Sequence, residues 1–169
     1  EAKQKYIVCN ADEGDSGTFS DRMTMEGDPF ALIEGMSISA FAVGATKGYL
    51  YLRSEYPHAE EVFNEALRIA RAEGYLGKDI CGSKRDFDIE LRRAAGAYIC
   101  GEETSLLESL EGKRGLVRAK PPLPAISGLF GQPTVVNNVI TFSSVPFILS
   151  NGADAYKDYG MGRSTGTLP

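Results

Sequence analysis

The chain has no tryptophan, one histidine (His58) and three cysteines (Cys9, Cys81 and Cys100) among its 169 residues. With one histidine, a histidine-centred triad and a multi-histidine zinc site have almost no material. No two cysteines stand in a CxxC spacing, which removes Cys₄ zinc and the usual iron–sulfur runs. So sparse and odd a set fits a reducing compartment better than a disulfide scaffold. No apolar run approaches the ~20 residues of a membrane helix, and the best candidate, residues 31–45, is broken by Glu34, Gly35 and Gly44. The net charge of −5 gives no basic footprint for nucleic acid. G-x-G-x-x-G and G-x-x-x-x-G-K-[ST] are both absent, so any nucleotide phosphate is held by another device. The chain starts without Met or a charged-then-apolar leader, opens almost directly in a strand and ends in Gly-Arg-Ser-Thr-Gly-Thr-Leu-Pro. It is therefore expected to be an internal piece of a longer protein, without a signal peptide.

What is present is the patterning of a globular protein, with 43% apolar and 24% charged residues and a length that predicts one domain. Lys5 to Cys9 reads as a strand, followed by a loop from Asn10 to Gly17. Asp28-Pro29 predicts a cap and first helical residue, and Phe30 to Val43 a mostly buried helix ended by Gly44. Tyr49 to Leu52 reads as a second strand. Ala59, Val62, Phe63, Ala66, Leu67 and Ala70 recur at helical spacing, opposite Glu60, Glu61, Glu65, Arg68 and Arg71. Phe87 to Leu91 alternates as a third strand. Ala97 to Cys100 reads as a strand entering Gly101, with a helix opening at Glu102-Glu103. Residues 112–134 form one long irregular stretch, and such loops are often functional. Asn137 to Leu149 reads as a final apolar helix kinked at Pro146, with a short helix near 153–159. Strands alternating with helices predict an α/β fold with a partly parallel sheet.

Three constellations stand out, and each has a plain reading beside a functional one. Asn10, Asp12, Glu13 and Asp15 follow the first strand, where α/β sheets place ligands; they suit sugar or polyol hydroxyls, or they form a solvated acidic turn. Tyr98-Ile-Cys-Gly-Glu-Glu103 combines a glycine open to a flat ligand with two helix-opening acids, which also simply complement the helix dipole. Lys120-Pro-Pro-Leu-Pro-Ala125 precedes Val136-Asn137-Asn138. The asparagines can cap a helix or border an anion site, and Lys120 can pair a phosphate or cover an aromatic ring. Cys9 and Cys100 read as buried small hydrophobes and His58 as a surface residue.

Together these segments resemble one family. The motifs Lys5-Tyr-Ile-Val-Cys-Asn-Ala-Asp-Glu13, Gly17-Thr-Phe-Ser-Asp-Arg22, Ala97-Tyr-Ile-Cys-Gly-Glu-Glu-Thr104, Ser109-Leu-Glu-Gly112, Lys120-Pro-Pro-Leu-Pro-Ala125 and Asn137-Asn138-Val139 occur in matching order over nearly the whole chain. They resemble the flavin-bearing, NADH-oxidising 51-kDa subunit of respiratory complex I. Gly14-Asp15-Ser16-Gly17 looks more like its relatives, the diaphorase subunit of NAD-reducing hydrogenases and the β subunit of NAD-dependent formate dehydrogenases. The resemblance implies a Rossmann-like sheet with flanking helices, spanning residues 1–169 as a single fragment that binds FMN and NAD(H). It implies flavin contacts at Asn10, Asp12, Glu13, Tyr98, Gly101, Glu102, Val136, Asn137 and Asn138. Asp15, Glu103 and Lys120 would face NADH, with Asp15 near the nicotinamide and Glu103 on the adenosine ribose. Hydride transfer would be the cofactor's chemistry, with no catalytic side chain.

The family's upstream glycine-rich loop and downstream [4Fe–4S] cysteine cluster have no counterpart in this sequence, so the fragment alone is expected to be inactive. Leu123 stands where complex I subunits tend to carry an aromatic residue against the adenine, and Asp15 is one methylene shorter than the glutamate it replaces. The implied partners are other subunits of an oxidoreductase complex, including a [2Fe–2S] thioredoxin-like subunit. The implied location is cytoplasmic, at most peripheral on a membrane complex. A cofactor-free docking scaffold that kept the fold is the alternative.

Overall fold

The computed structural model describes residues 2, 4–94, 96–161 and 164–166. Four parallel strands form the sheet, in the order β3-β2-β1-β4: β1 (Tyr6–Ala11), β2 (Lys47–Leu52), β3 (Asp88–Arg93) and β4 (Thr134–Asn138). The helices are α1 (Ser20–Gly27), α2 (Pro29–Val43), α3 (Pro57–Ala72), α4 (Glu103–Leu110), α5 (Val139–Asn151) and α6 (Ala153–Lys157). A two-residue strand pair, β5 (Gly160–Met161) and β6 (Ser164–Thr165), follows.

β1 shows why the sheet is buried on both faces. Its side chains alternate, so Ile7, Cys9 and Ala11 join one core cluster, with α2, α3 and α5, while Val8 joins a second with α4. The chain steps outward from β1 to β2 to β3, then crosses back to place β4 on the other side of β1. The strand order therefore reverses between β1 and β4, and the crevice beyond their C-terminal ends is where such sheets bind ligands.

The α/β class is borne out, and the sheet is parallel throughout. Asp28 caps α2 by accepting from the Ala31 N–H, and Gly44 ends it with φ 74°. In α3, Ala59, Phe63, Ala66, Leu67 and Ala70 are buried as their spacing predicts. Cys9 and Cys100 are buried, and His58 is exposed.

Several expectations are corrected. Residues 98–101 form a 3-10 turn, not a strand. The run's backbone bonds close locally, from the Cys100 N–H to the Ala97 carbonyl and from the Glu102 N–H to the Ile99 carbonyl at 3.0 Å each, so it joins no ladder; Tyr98 and Ile99 stay exposed and only Cys100 is buried. Thr134 to Asn138 pair with β1 as a strand, so only Asn138 caps α5, and the helix begins at Val139, two residues later than expected. The sequence pattern does not announce α1, which buries only Asp21 and Met25 and carries almost no apolar periodicity. The strands also run beyond the expected 5–9, 49–52 and 87–91, to Ala11, from Lys47 and to Arg93.

Pro146 lies inside an unbroken α5. It has no N–H to give the Phe142 carbonyl one turn earlier, and that carbonyl faces Gly35 of α2, where an added Cβ would stand 1.9 Å from the oxygen. The irregular stretch 112–134 is clasped by Arg118. Its side chain donates to Glu108, to Glu111 (2.8 Å) and to the Gly128 carbonyl (2.9 Å), while its backbone N–H donates to Thr104 Oγ1 (2.9 Å).

Candidate functional site

A cleft of about 510 Å³ opens at the C-terminal ends of β1 and β4, within the usual range of small-molecule sites. It gathers Asn10 from the end of β1, Asp12, Glu13, Gly14 and Asp15 from the segment after it, Tyr98, Gly101 and Glu102 from the turn before α4, and Asn138 from β4. Val136, Asn137, Glu103 and Lys120 do not line it. Val136 packs into the second core cluster, and Asn137 pairs with Cys9 inside the sheet. Glu103 sits just beyond, paired with Lys120, which also reaches Glu102 at 3.2 Å. Thr18, Ser20, Asp21, Ile99 and Ile140 line the cleft without standing out in the sequence. Of these, Thr18, Ser20 and Asp21 lie inside the Gly17–Arg22 motif and Ile99 inside the Ala97–Thr104 motif, the signals that could have found them.

Two of the acids, Glu13 and Glu102, direct their carboxylates at helix N-termini. Glu13 is buried and accepts from Ser20 Oγ (3.2 Å), Asp21 N (3.0 Å), Arg22 N (3.4 Å) and Tyr56 OH (3.0 Å). It thus caps α1 from outside the helix, where Phe19 at the N-cap offers no side-chain bond. Glu102 caps α4 in the same way, accepting from the Thr104 and Ser105 N–H groups at 2.9 Å each. Burial works against its ionisation, but the hydrogen bonds from Thr104, Ser105 and Lys120 overcome this and hold its carboxyl below the usual range.

Asn10 ties the two halves of the cleft. Its Nδ2 donates to the Gly101 carbonyl at 2.8 Å and its Oδ1 accepts from the Asp12 N–H at 3.1 Å. Asp12 is half-buried, and burial raises its pKa against the opposing pull of Arg53. Its Oδ2 is buried without a hydrogen-bond partner. Two glycines, Gly14 and Gly101, stand in the floor of the cleft. A Cβ on Gly14 would stand 2.8 Å from the Tyr98 ring, and one on Gly101 would touch the Asp12 carbonyl at 3.4 Å. Across the mouth, Tyr98 is 73% exposed, and its OH donates to Asp15 Oδ1 at 2.7 Å.

This cleft fits a flat, hydrogen-bonding cofactor. It has a side-chain-free floor, amide groups on two sides, and one buried acceptor oxygen that no protein donor satisfies, a state that costs free energy unless a ligand supplies the donor.

A family model described as the Nuo51 FMN-binding domain (Complex1_51K) matches residues 1–147. The chain belongs to this family. The F subunit of the NADH-quinone oxidoreductase of Aquifex aeolicus is 54% identical over 92% of this chain and 37% of its own length. The HndC subunit of the NADP-reducing hydrogenase of Solidesulfovibrio fructosivorans is 53% identical over 98% of the chain and 34% of its own. A crystal structure of an NAD+-reducing [NiFe]-hydrogenase in the H2-reduced state superposes with a TM-score of 0.83 at 43% identity, covering 96% of this chain and 27% of that one. The chain thus spans about a third of the length of the curated relatives it matches. Among the described residues no helix is long and apolar enough to cross a membrane.

Proposed function

We propose that the cleft holds FMN and that this chain is the flavin- and NAD(H)-binding core of an oxidoreductase subunit. The observation that carries the reading is the buried, unpartnered Oδ2 of Asp12 over a glycine floor at the sheet's switch point. A solvated acidic turn needs no such atom, and neither does a docking scaffold. Bound FMN supplies hydride exchange with a nicotinamide and release of single electrons to iron–sulfur clusters. Those clusters are proposed to be a [4Fe–4S] centre of the complete subunit and the [2Fe–2S] centre of a thioredoxin-like partner.

The chain's own task is positioning. Asp12 accepts a ring donor, and Asn138 offers an amide N–H from the opposite wall. Gly14 and Gly101 let the ring approach the backbone. Glu13 and Glu102 act indirectly, by fixing the helix starts that shape the walls. Tyr98 and Asp15 close on each other across the mouth and must part, or move together, for a nicotinamide to enter. Glu103, held by Lys120, is placed to meet the adenosine ribose of NADH and to repel a 2′-phosphate. The names of the relatives include both NADH and NADP, so the choice of nucleotide rests on this pair.

The test is titration of the purified protein with FMN, followed by flavin fluorescence, beside an Asp12→Ala, Asn138→Ala double variant. Saturable quenching by the parent and its loss in the variant is the expected result. Equal behaviour of the two, or no quenching by the parent, overturns the assignment.

A further inference from the structure

Asp21 belongs to the cleft wall yet has no role among the positioning groups just described. It is 4% exposed, in the first turn of α1. Its Oδ2 accepts from Asn138 Nδ2 at 2.7 Å, across 117 residues of sequence. Asn138 is held from both ends, because its Oδ1 accepts the Ile140 N–H at 2.8 Å as the cap of α5. These two bonds agree on one amide orientation and leave the second N–H of Asn138 for a ligand.

We propose that Asp21 is a positioning residue of the flavin site, which orients the Asn138 amide and makes cofactor binding depend on the protonation of its own carboxyl. The proposal rests on the flavin assignment above. Burial and the neighbouring Glu13 carboxylate push the Asp21 pKa up to about 6, partly offset by the Asn138 hydrogen bond. The groups around it are few. The β1 side contributes the Cys9 thiol, itself pushed well up by burial and by Asp21. The following loop contributes Glu13, and the Tyr56 hydroxyl stands behind Glu13. Arg22, next to Asp21 on α1, pairs with Glu26. α5 carries no ionisable side chain, and the one on α2, Glu34, is exposed. On α3, Glu60 is turned to Arg93, and the remaining charged side chains are exposed. No cation in this set pairs with Asp21.

The sign follows from linkage. An anionic cofactor that fills the cleft excludes water from Asp21 and adds negative charge near it, and both effects favour the neutral carboxyl. Binding then takes up a proton, so affinity falls as pH rises through about 6. A further shift of one unit on binding corresponds to a tenfold change in affinity.

The experiment measures FMN affinity of the intact protein by fluorescence quenching from about pH 5 to pH 8, the window set by this pKa. Parent, Asp21→Asn and Asp21→Ala are compared. The cofactor phosphate also titrates near pH 6, but it does so in all three, so the difference between profiles isolates Asp21. The expected result is an approximately tenfold loss of affinity in the parent with rising pH. Asp21→Asn, a neutral acceptor of the same shape, should show no such loss beyond that of the phosphate. Asp21→Ala, without an acceptor for Asn138, should bind weakly throughout. An Asp21→Asn profile matching the parent, or parent-like affinity in Asp21→Ala, overturns the proposal and leaves the flavin site standing. A parent that binds no FMN at any pH overturns both. If the variants misfold, carbon NMR of labelled aspartate carboxyls in the parent decides: the Asp21 titration must move to higher pH on adding FMN, and an unmoved titration overturns the proposal.

Discussion

Replacing Gly35 by alanine should destabilise the protein by about 3 kcal/mol or more, the upper end of the range for overpacking a core. The added methyl would lie 1.9 Å from the Phe142 carbonyl oxygen, where ordinary contact begins at 3.4 Å. Neither side can yield cheaply. Gly35 is buried in the middle of α2, and the obstacle is backbone of α5, not the end of a flexible side chain. Because Pro146 removes the usual donor to that oxygen, the close approach of the two helices is also what covers it. For a chain of this size the loss corresponds to a fall in Tm of roughly 6–12 °C, read by thermal unfolding followed by circular dichroism. Gly27→Ala is the control, since nothing lies within 4 Å of a Cβ there; it should be neutral or stabilising by up to about 1 kcal/mol. A Gly35→Ala protein that melts within 2 °C or so of the parent would refute the reasoning. Asn138 is the cap of α5, so displacement of that helix should also weaken FMN binding.

Two further outcomes are expected. Glu103→Ala should let NADPH compete with NADH, narrowing the preference at least about tenfold, which corresponds to ~1.4 kcal/mol of like-charge repulsion removed; steady-state kcat/KM for the two nucleotides reads this, and an unchanged ratio counts against the role of Glu103. Arg118→Met should cost about 1–3 kcal/mol, because it removes the cation paired with the partly buried Glu108 and leaves Glu111 with only Lys113 and the Phe130 N–H. Limited proteolysis should then cut within residues 112–134, and a variant with parent-like Tm and protease resistance would show that the clasp is dispensable.

The parts of the fold legible in the sequence are those whose signal is local. α2 and α3 announce themselves through Asp28-Pro29, Gly44 and an apolar stripe, and these are the features that cap and bury them. β4 is different. Thr-Val-Val-Asn-Asn runs into an apolar helix without a Gly or Pro to mark the boundary, and it becomes a strand because β1 has an open edge to pair with. α1 is hidden for a related reason. Its cap is Glu13, seven residues before the helix begins, and tertiary contact supplies the stability that propensity does not. Asp21, on α1, is hidden too, because its meaning depends on Asn138, which the fold brings to it from the end of β4.

The same distinction separates the acids of the cleft. By resemblance Asp12, Glu13 and Glu102 are equivalent, three carboxylates placed against a flavin. In the folded chain, Glu13 and Glu102 direct their oxygens at the N-terminal N–H groups of α1 and α4, where a carboxylate satisfies donors that would otherwise be orphaned and complements the helix dipole. Removing either acid would disturb the wall before it disturbed a ligand contact. Asp12 is the reverse case, since its Oδ2 contributes nothing to the protein's own hydrogen bonding and is kept buried all the same. Keeping an unsatisfied acceptor in a wall otherwise so fully bonded costs stability, and that cost is offset only when something with a donor occupies the cleft. The asymmetry between these acids, more than the acidity they share, is what marks the cleft as a binding site.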